Sequence, residues 1–326
     1  MGDPVSEAAR PIDAEEAPIA PRAPFTPDPA LYPFPRRYLR LPSGLDYHYV
    51  DEGSGDPVIM VHGNPTWSFY YRALILKLRD RYRVMAPDHI GCGLSSRPTL
   101  DQYPFTLEQR VADLEAWIES RELDPTVPVT LVLHDWGGMI GMAWAARHPE
   151  RVGRLVVLNT AAFPKPPTKT LPRSLKLGRD LWLGAFLIKR FNLFSRLANS
   201  WATTRGLAPE VCRHYSGASD DPGGRLSTLR FVQDIPLSEA DPGYSIVKET
   251  EAKLKLFREH PALIAWGRKD FVFDRHFLDH WRAHLPQARV LDYPGAGHYV
   301  LEDEAALLIP EIERFLDESS AYTGER

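Results

Sequence analysis

The chain has 326 residues, 44% of them hydrophobic and 25% charged, which is typical of a soluble globular protein with one large domain, alone or with an inserted subdomain. A formal net charge of −4 supplies no basic field, so we expect no nucleic-acid partner. Two cysteines, Cys92 and Cys212, are too few for a disulfide framework and lack metal-ligand spacing, so we expect a reducing, cytoplasmic location and no metal site.

Both ends of the chain are predicted to be disordered. Residues 1–30 are rich in proline, alanine and acidic side chains, and they have neither the basic start nor the long apolar run of a signal peptide or a membrane span. Residues 319–326 form a short polar tail. The folded part is therefore expected between residues 31 and 318.

The first predicted elements are two strands, 37–41 and 47–51, that form an antiparallel hairpin around the turn Pro42-Ser43-Gly44. Strands and helices then alternate, with apolar residues recurring at the spacing of buried strands or of amphipathic helices. In chain order these are strand 58–61, helix 68–78, strand 83–86, helix 106–121 with Thr106 as its N-cap, strand 129–134, helix 136–148 and strand 155–158.

The alternation stops between residues 160 and 250, where prolines are followed by a mixture of aromatic, leucine and basic residues. A strandless segment of this length, rich in residues that are usually buried, predicts an inserted helical cap over the carboxyl ends of the strands. The alternation then resumes with strand 262–266, helix 273–285, strand 289–293 and helix 304–316.

Repeated strand–helix–strand units predict an α/β fold with a mostly parallel, eight-stranded sheet and helices on both faces. The opening hairpin adds antiparallel strands at one edge. We expect residues 31–159 and 251–318 to form this core and residues 160–250 to form the helical cap.

The segment His134-Asp135-Trp136-Gly137-Gly138 joins a buried strand to a helix through a sharp turn. Such a turn is the nucleophile elbow of the α/β-hydrolase fold, in which glycines let the helix pack closely on the strand. The usual serine is replaced by Asp135, whose carboxylate is ionised at neutral pH and attacks directly to form a covalent ester. This replacement disfavours a serine esterase or lipase.

The partners of the nucleophile are predicted from chain order, which in this fold is nucleophile, acid, histidine. Asp270 and His298 follow Asp135 in that order, each just after a predicted strand, where open α/β sheets place their sites. If each residue is considered alone, the ordinary non-catalytic interpretation is that Asp270 caps the next helix and that His298 is a loop histidine. Asp274 is expected to cap the next helix, and Asn159 stands where some relatives of the fold carry the acid. We therefore predict an Asp135, Asp270 and His298 triad.

Two further residues are placed beside Asp135 by the geometry of the fold. The loop His62-Gly63-Asn64-Pro65 supplies one backbone N–H to the oxyanion hole, and Trp136, which follows the nucleophile, supplies the other. Both residues also carry a side-chain N–H, so we predict that Asn64 and Trp136 hold a departing anion. Taken singly, Asn64 is a turn residue and Trp136 a packing aromatic.

Gly63-Asn64-Pro65-Thr66-Trp67, together with the elbow segment, resembles the haloalkane dehalogenases over nearly the whole chain after residue 30. The resemblance implies that Asp135 displaces halide from carbon. It implies that the side chains of Asn64 and Trp136 bind the halide. It also implies that His298 and Asp270 activate water against the alkyl ester, without a cofactor. An acid at position 270 combined with Asn64 most resembles the third subfamily, and the main functional prediction is hydrolysis of a haloalkane.

Three other segments support an alternative prediction. The β-lactone decarboxylases of bacterial long-chain olefin biosynthesis are similar to this chain at Ile90-Gly91-Cys92-Gly93, at Asn159-Thr160-Ala161-Ala162-Phe163 and at Thr228-Leu229-Arg230-Phe231-Val232-Gln233-Asp234-Ile235-Pro236. In such an enzyme the aspartate would open a strained lactone, and carbon dioxide would leave a cis-alkene. Asn64 and Trp136 would then stabilise a carboxylate instead of a halide, and the triad alone does not separate the two functions.

Epoxide hydrolases are a third candidate because they share the aspartate nucleophile and the His–Asp pair. They usually carry an aromatic residue at the position of Asn64 and use cap tyrosines to donate to the epoxide oxygen. Tyr215 and Tyr244 lie in the predicted cap, where a packing role is more common. A non-catalytic binding module of the same fold is disfavoured, because such proteins tend to lose a triad residue.

The predicted cap mixes apolar residues with basic ones, which are Lys176, Arg179, Lys189, Arg190 and Arg196. This mixture predicts either a surface that docks on a membrane or a partner enzyme, or simply the solvated face of the cap helices. The expected substrate is in either case a small apolar molecule.

Overall fold

The computed structural model describes residues 10–11, 19–170 and 172–319. Its strands are β1 (Arg10–Pro11), β2 (Arg37–Arg40), β3 (Asp46–Glu52), β4 (Pro57–Val61), β5 (Arg83–Pro87), β6 (Val129–Asp135), β7 (Val152–Thr160), β8 (Ala262–Gly267) and β9 (Arg289–Tyr293). Its α-helices are α1 (Arg72–Leu78), α2 (Leu107–Glu119), α3 (Trp136–Arg147), α4 (Arg173–Asp180), α5 (Trp182–Phe191), α6 (Leu193–Trp201), α7 (Pro209–Gly217), α8 (Pro222–Gln233), α9 (Tyr244–Lys253), α10 (Arg275–His284), α11 (Val300–Asp303) and α12 (Ala305–Glu318).

These strands form one sheet in the order β1-β2-β3-β5-β4-β6-β7-β8-β9. The pairs that involve β1, β2 or β3 are antiparallel, and all other pairs are parallel. Strands β2 to β9 are the predicted eight-stranded sheet, and the two-residue β1 adds a ninth strand at its edge. Every residue of β4, β6, β7 and β8 is buried, because helices cover both faces of the parallel part.

Helical periodicity in the sequence located the helices well. Thr106 caps α2 as predicted, and its side chain accepts the backbone N–H of Gln109 at 3.3 Å. The inward face predicted for the last helix is also confirmed, since Leu308, Ile312 and Phe315 of α12 are buried. The predicted helix 68–78 is divided in the structure into a short 3-10 turn and α1.

Helices α4 to α8 form the cap. The cap was expected to extend to residue 250, but α9, which includes that residue, does not belong to it. Val247 of α9 and Leu254 just after it are buried in the same cluster as Leu131 of β6. Lys253 also donates through Nζ to the backbone carbonyl of Ala146 on α3 at 3.1 Å. Helix α9 therefore packs on the sheet layer. An amphipathic pattern shows that a helix has a buried face but does not show which layer covers it.

Part of the expected disordered leader lies against the domain. Residues 1–9, 12–18 and 320–326 are outside the described residues, whereas residues 19–30 make specific contacts. Arg22 pairs with Asp46 at 2.6 Å, and Phe25 packs edge-on against Trp67 at 6.2 Å between ring centroids. A proline-rich segment has no periodicity, so its packing partners are invisible in the sequence.

Neither a spanning helix nor a disulfide occurs in the described part of the chain. Each of its helices is too short or too polar to cross a bilayer. Cys92 and Cys212 are both free thiols, and Cys92 is buried.

Candidate active site

Asp135 ends β6 and immediately precedes α3, so it stands at the carboxyl edge of the sheet. Its backbone φ of 53° is in the region that residues other than glycine rarely adopt. The hydroxyl of Thr160, at the end of the neighbouring strand β7, donates to the backbone carbonyl of Asp135 and ties the turn to the sheet. The predicted nucleophile therefore lies at a strained strand-to-helix turn, as the elbow requires.

Two glycines make this turn possible. A Cβ atom on Gly137 would lie 1.9 Å from the backbone carbonyl oxygen of Val61. A Cβ atom on Gly63 would lie 2.0 Å from Oδ1 of Asp135. Both distances are far inside van der Waals contact, so a side chain at either position would push the elbow away from the neighbouring loop.

The carboxylate of Asp135 is held by two backbone donors. The N–H of Asn64 donates to Oδ1 at 2.5 Å, and the N–H of Trp136 also bonds the carboxylate. Burial raises the pKa of the Asp135 carboxyl above its ordinary value, and the positive charge of His298 and the two N–H donors offset part of this effect. A carboxylate with a raised pKa is more basic, which makes it a stronger nucleophile.

His298 lies between the two predicted acidic residues. Its Nδ1 is 2.7 Å from Oδ2 of Asp270, and its Nε2 is 3.5 Å from Oδ2 of Asp135. Burial alone would lower the pKa of His298, but the charge and hydrogen bond of Asp270, together with the charge of Asp135, outweigh burial and raise it. The structure thus brings the three predicted triad residues together, and their catalytic roles stay predictions.

The Asp270 carboxylate is fixed by four N–H groups. Its Oδ1 accepts the backbone N–H groups of Val272 at 2.7 Å and Phe273 at 3.0 Å. Its Oδ2 accepts from His298 and from the side-chain amide of Asn159 at 3.0 Å. This number of donors satisfies a buried carboxylate and sets its orientation toward the imidazole.

Asn159 has a role in the site that the sequence reasoning missed. The side chain is fully buried, and its Nδ2 donates both to Asp270 and to the backbone carbonyl of Gly267, each at 3.0 Å. Its Oδ1 accepts the backbone N–H of Gly267 at 2.8 Å. In the sequence Asn159 marks only the absence of an acid after β7. A polar residue at a buried strand end nevertheless needs a partner, and that requirement is the signal that could have revealed it.

The side chains of Asn64 and Trp136 lie beside Asp135 and are 6% and 4% exposed. The Asn64 amide donates at 3.4 Å to the backbone carbonyl of Thr228 on α8, and its Oδ1 has no partner among the described residues. The indole N–H of Trp136 has no acceptor within the described ranges, and the ring packs against Phe231 of α8 at 5.3 Å. The indole N–H of Trp136 is therefore free, and the side-chain amide of Asn64 is weakly bonded.

An apolar cavity lies above these groups, between the sheet edge and the cap. The side chains of Asp135, Asn64, Trp136 and His298 form its polar end. Hydrophobic side chains make up most of the remaining wall, among them Met139, Phe163, Val232, Ile235, Leu237 and Phe277. This cavity, called the catalytic cavity below, suits an apolar substrate.

The alternative polar residues in this region have other partners. Asp274 caps α10, accepts the backbone N–H of His276 and pairs with Lys169 at 2.8 Å. The Tyr215 hydroxyl donates to Glu302, and neither Tyr215 nor Tyr244 lines the catalytic cavity. The two tyrosine donors that an epoxide hydrolase would use are therefore not in place.

Within the described residues, Glu251, His280 and His284 have ligand atoms close enough together to hold a metal ion. Oε1 of Glu251 is 2.6 Å from Nε2 of His280 and 3.5 Å from Nε2 of His284. This group lies on α9 and α10, where His280 packs against Phe163 at 4.2 Å between ring centroids, and none of its three residues lines the catalytic cavity.

Comparisons with known proteins agree with this architecture. Residues 56–305 match the family model described as alpha/beta hydrolase fold, and the chain therefore belongs to the α/β hydrolase family. More particularly, it is 48% identical over 296 residues to the cis-3-alkyl-4-alkyloxetan-2-one decarboxylase of Shewanella oneidensis. That alignment covers 90% of this chain and 92% of the decarboxylase.

Haloalkane dehalogenases are also similar to this chain, at lower identity. Haloalkane dehalogenase 2 of Mycobacterium bovis is 32% identical, and the alignment covers 89% of this chain and 98% of that protein. The crystal structure of a mutant haloalkane dehalogenase from Agrobacterium tumefaciens superposes with a TM-score of 0.77 at 26% identity, covering 89% of this chain and 100% of that one. An oxetan-2-one is a β-lactone, so both predicted resemblances are confirmed, and the similarity to the decarboxylase is greater.

Proposed function

We propose that this protein opens a cis-3,4-dialkyl β-lactone and releases carbon dioxide and a cis-alkene. The observation that carries the proposal is the greater similarity of the chain to an oxetanone decarboxylase than to a haloalkane dehalogenase. The segment 228–236, which resembles the decarboxylases, also supports it, because Thr228 contacts Asn64 and Phe231 packs on Trp136. Decarboxylation thus replaces halide hydrolysis as the main functional hypothesis.

In the first step Asp135 attacks C4 of the lactone ring. Its Oδ1 accepts the N–H of Asn64, so Oδ2 is the attacking atom. A bond forms between Oδ2 and C4 while the C4–O bond of the ring breaks, and the electron pair of that bond stays on the ring oxygen. The product is an ester on Asp135 with a carboxylate on C3, and the side-chain N–H groups of Asn64 and Trp136 stabilise this new charge.

In the second step the bond between C3 and the carboxylate breaks and carbon dioxide leaves. The released electron pair forms the second bond between C3 and C4, and the ester bond breaks to regenerate the Asp135 carboxylate. Because Asp135 attacks from the side opposite the ring oxygen, the ester oxygen and the carboxylate are anti to each other. Alkyl groups that are cis on the ring therefore remain cis on the alkene, and no water is consumed.

His298 serves this scheme as a fixed positive charge. Its raised pKa favours the imidazolium, whose Nε2 is 3.5 Å from Oδ2 of Asp135. The imidazolium stabilises the Asp135 carboxylate as it leaves C4, and Asp270 holds the ring in position. In a hydrolytic scheme the same histidine has to be neutral, because it takes a proton from water.

The test is product analysis with the purified full chain in water labelled with heavy oxygen. The substrates are a cis-3,4-dialkyl β-lactone and a 1-bromoalkane. We expect a cis-alkene and carbon dioxide from the lactone. Asp135→Ala is expected to abolish alkene formation because no nucleophile remains. The matched control Asp274→Asn keeps it, since Asp274 caps α10 and pairs with Lys169 and does not line the catalytic cavity.

Two outcomes would contradict the proposal. A labelled hydroxy acid from the lactone would show that water hydrolyses the ester before carbon dioxide leaves. Bromide release without any alkene would establish a haloalkane dehalogenase instead. That second candidate is favoured by the free indole N–H of Trp136 beside the Asn64 amide, which is an arrangement suited to a halide.

A further inference from the structure

A second apolar chamber adjoins the catalytic cavity inside the cap. It lies between α4, α5 and α6 and is closed on one side by Phe271. Every residue that lines it is hydrophobic or glycine, and the large ones that it does not share with the catalytic cavity are Leu187, Ile188, Leu193, Leu197 and Trp201. The chamber has no group that could perform chemistry, but it can accommodate hydrocarbon.

The chamber and the catalytic cavity share one wall. Leu175, Phe194, Ala198 and Phe271 line both spaces. Ala198 is the smallest of these side chains and lies on α6. The two spaces are therefore adjacent, and an alkyl arm that extends from one into the other has to pass this set of side chains.

We propose that this chamber holds one alkyl arm of the substrate while the other arm stays in the catalytic cavity. The inference rests on the proposed function, because a dialkyl β-lactone carries two arms on adjacent ring carbons and both must leave water when the ring reaches Asp135. A molecule with one arm would fill only one of the two spaces. The arrangement therefore assigns one arm to each space.

The test changes the chamber without touching the catalytic groups. Leu197→Trp fills the chamber from α6, and the matched control Ser200→Trp adds the same ring on the exposed side of that helix. With a lactone that has two long arms, we expect kcat/KM of Leu197→Trp to fall at least about tenfold, as expected when a pocket loses several methylene contacts. With lactones in which one arm is shortened to methyl, one of the two isomers should be turned over at close to the unmodified rate. Ser200→Trp should match the unmodified chain throughout.

The inference fails if Leu197→Trp lowers kcat/KM equally for long-armed and short-armed lactones, or leaves the long-armed lactone unaffected. A second readout does not depend on turnover, namely equilibrium dialysis of a long internal cis-alkene. We expect Leu197→Trp to bind it at least about tenfold more weakly than Ser200→Trp does. If the two variants bind the alkene equally well, the chamber assignment is wrong. If the alkene binds as expected but no lactone is converted to an alkene, only the proposed function is wrong.

A separate observation concerns the exposed hydrophobic side chains of α5 and of Leu181, which immediately precedes it. Leu181, Trp182, Leu183, Phe186 and Phe191 form an exposed hydrophobic surface, the α5 patch, in which Trp182 is 78% exposed. Contiguous exposed aromatic and leucine side chains of this kind mark an interaction surface.

Two cations border the α5 patch without acidic partners. Lys189 and Arg190 are exposed, and no carboxylate in the described part of the chain lies within 4.0 Å of either. In contrast, Arg179 pairs with Asp241 and Arg196 lies 3.4 Å from Asp220. Lys176 on α4 is also exposed and has no carboxylate within 4.0 Å among the described residues, so three of the five basic residues expected to form a docking surface are unpaired, and two of these three border the α5 patch.

We infer, independently of the chamber, that the α5 patch docks on an anionic lipid bilayer. Aromatic and leucine side chains flanked by cations that lack carboxylate partners are typical of helices that lie in the headgroup region, where the cations meet lipid phosphates. Helix α5 itself contains no acidic residue that the anionic lipid headgroups would repel.

The test is co-sedimentation of the full chain with vesicles of phosphatidylcholine alone or with equal parts of phosphatidylglycerol. We expect binding only to the anionic vesicles, with loss of binding at high salt. Trp182→Ala with Phe186→Ala should abolish binding, whereas Leu307→Ala, which removes an exposed leucine on α12, should not. Absence of binding, or equal binding by the double variant, overturns the inference. A dimer that the double variant dissociates would assign the patch to a second copy of the chain.

Discussion

Asn159→Ala tests whether the amide after β7 positions the catalytic acid. The substitution removes the N–H that donates to Oδ2 of Asp270 at 3.0 Å and leaves the other three donors of that carboxylate in place. Asp270 then has one fewer restraint on the oxygen that faces His298. We expect the imidazole to be less well oriented toward Asp135 and turnover to fall.

The magnitude follows from the contacts. A hydrogen bond to a charged group contributes about 1.5–3 kcal/mol, so kcat/KM should fall about tenfold to a hundredfold if the full contribution is realised in the transition state. The free energy of unfolding should fall as well. The backbone N–H of Gly267 loses its partner, and alanine tolerates the φ of 32° less well than asparagine, which together cost about 2–4 kcal/mol.

The assay combines kcat/KM for a short-armed lactone with urea unfolding, and Asn192→Ala is its matched control. Asn192 is also fully buried, has a φ of 52° and donates its amide to Ser216 at 3.0 Å, but it lies in the cap away from Asp270. We expect both variants to lose stability and only Asn159→Ala to lose rate. A rate within about twofold of the unmodified chain for Asn159→Ala would refute a positioning role and leave Asn159 as a structural residue.

Gly63→Ala should abolish activity and lower the unfolding midpoint, because its Cβ would lie 2.0 Å from Oδ1 of Asp135, and a folded, fully active variant would contradict the close approach. Trp136→Phe keeps the ring but removes the indole N–H, so alkene formation should slow about tenfold or more, as measured by single-turnover kinetics. In a pH profile, the rate of alkene formation should decline as pH rises through the raised pKa of His298. A rate set by ester hydrolysis would instead increase over the same pH range, because the histidine has to be neutral. Burial raises the pKa of Asp113 to about 6, so the folded state holds more protons than the unfolded state between about pH 4 and 6 and stability falls as pH rises there. Asp113→Asn should flatten that slope in urea unfolding, and an unchanged slope would count against a buried, protonated Asp113.

The features that the sequence predicted well are those that depend on local pattern and chain order. Strand ends determine where Asp135, Asp270 and His298 lie, because the carboxyl ends of parallel strands share one edge of the sheet. The loop and elbow positions of Asn64 and Trp136 follow from the same rule. These relations need no knowledge of side-chain packing.

The features that the sequence did not predict depend on contacts between distant segments. The bond from Asn159 to Asp270 joins residues 111 positions apart, and nothing in either neighbourhood identifies the partner. The packing of α9 on the sheet and of residues 19–30 on the domain is likewise decided by surfaces that form only after folding. The chamber in the cap is of the same kind, since its walls come from three helices.

Helix α8 contacts both of the residues that we propose as donors to the leaving group, Asn64 and Trp136. The backbone carbonyl of Thr228 accepts the amide of Asn64, and Phe231 supports the ring of Trp136. Val232, on the same helix, lines the catalytic cavity that receives the substrate. A cap transplanted from a relative with a different chain-length preference would bring its own α8 and move both donors. The cap is therefore not an exchangeable module, and engineering it for new substrates will change reaction rate and substrate range together.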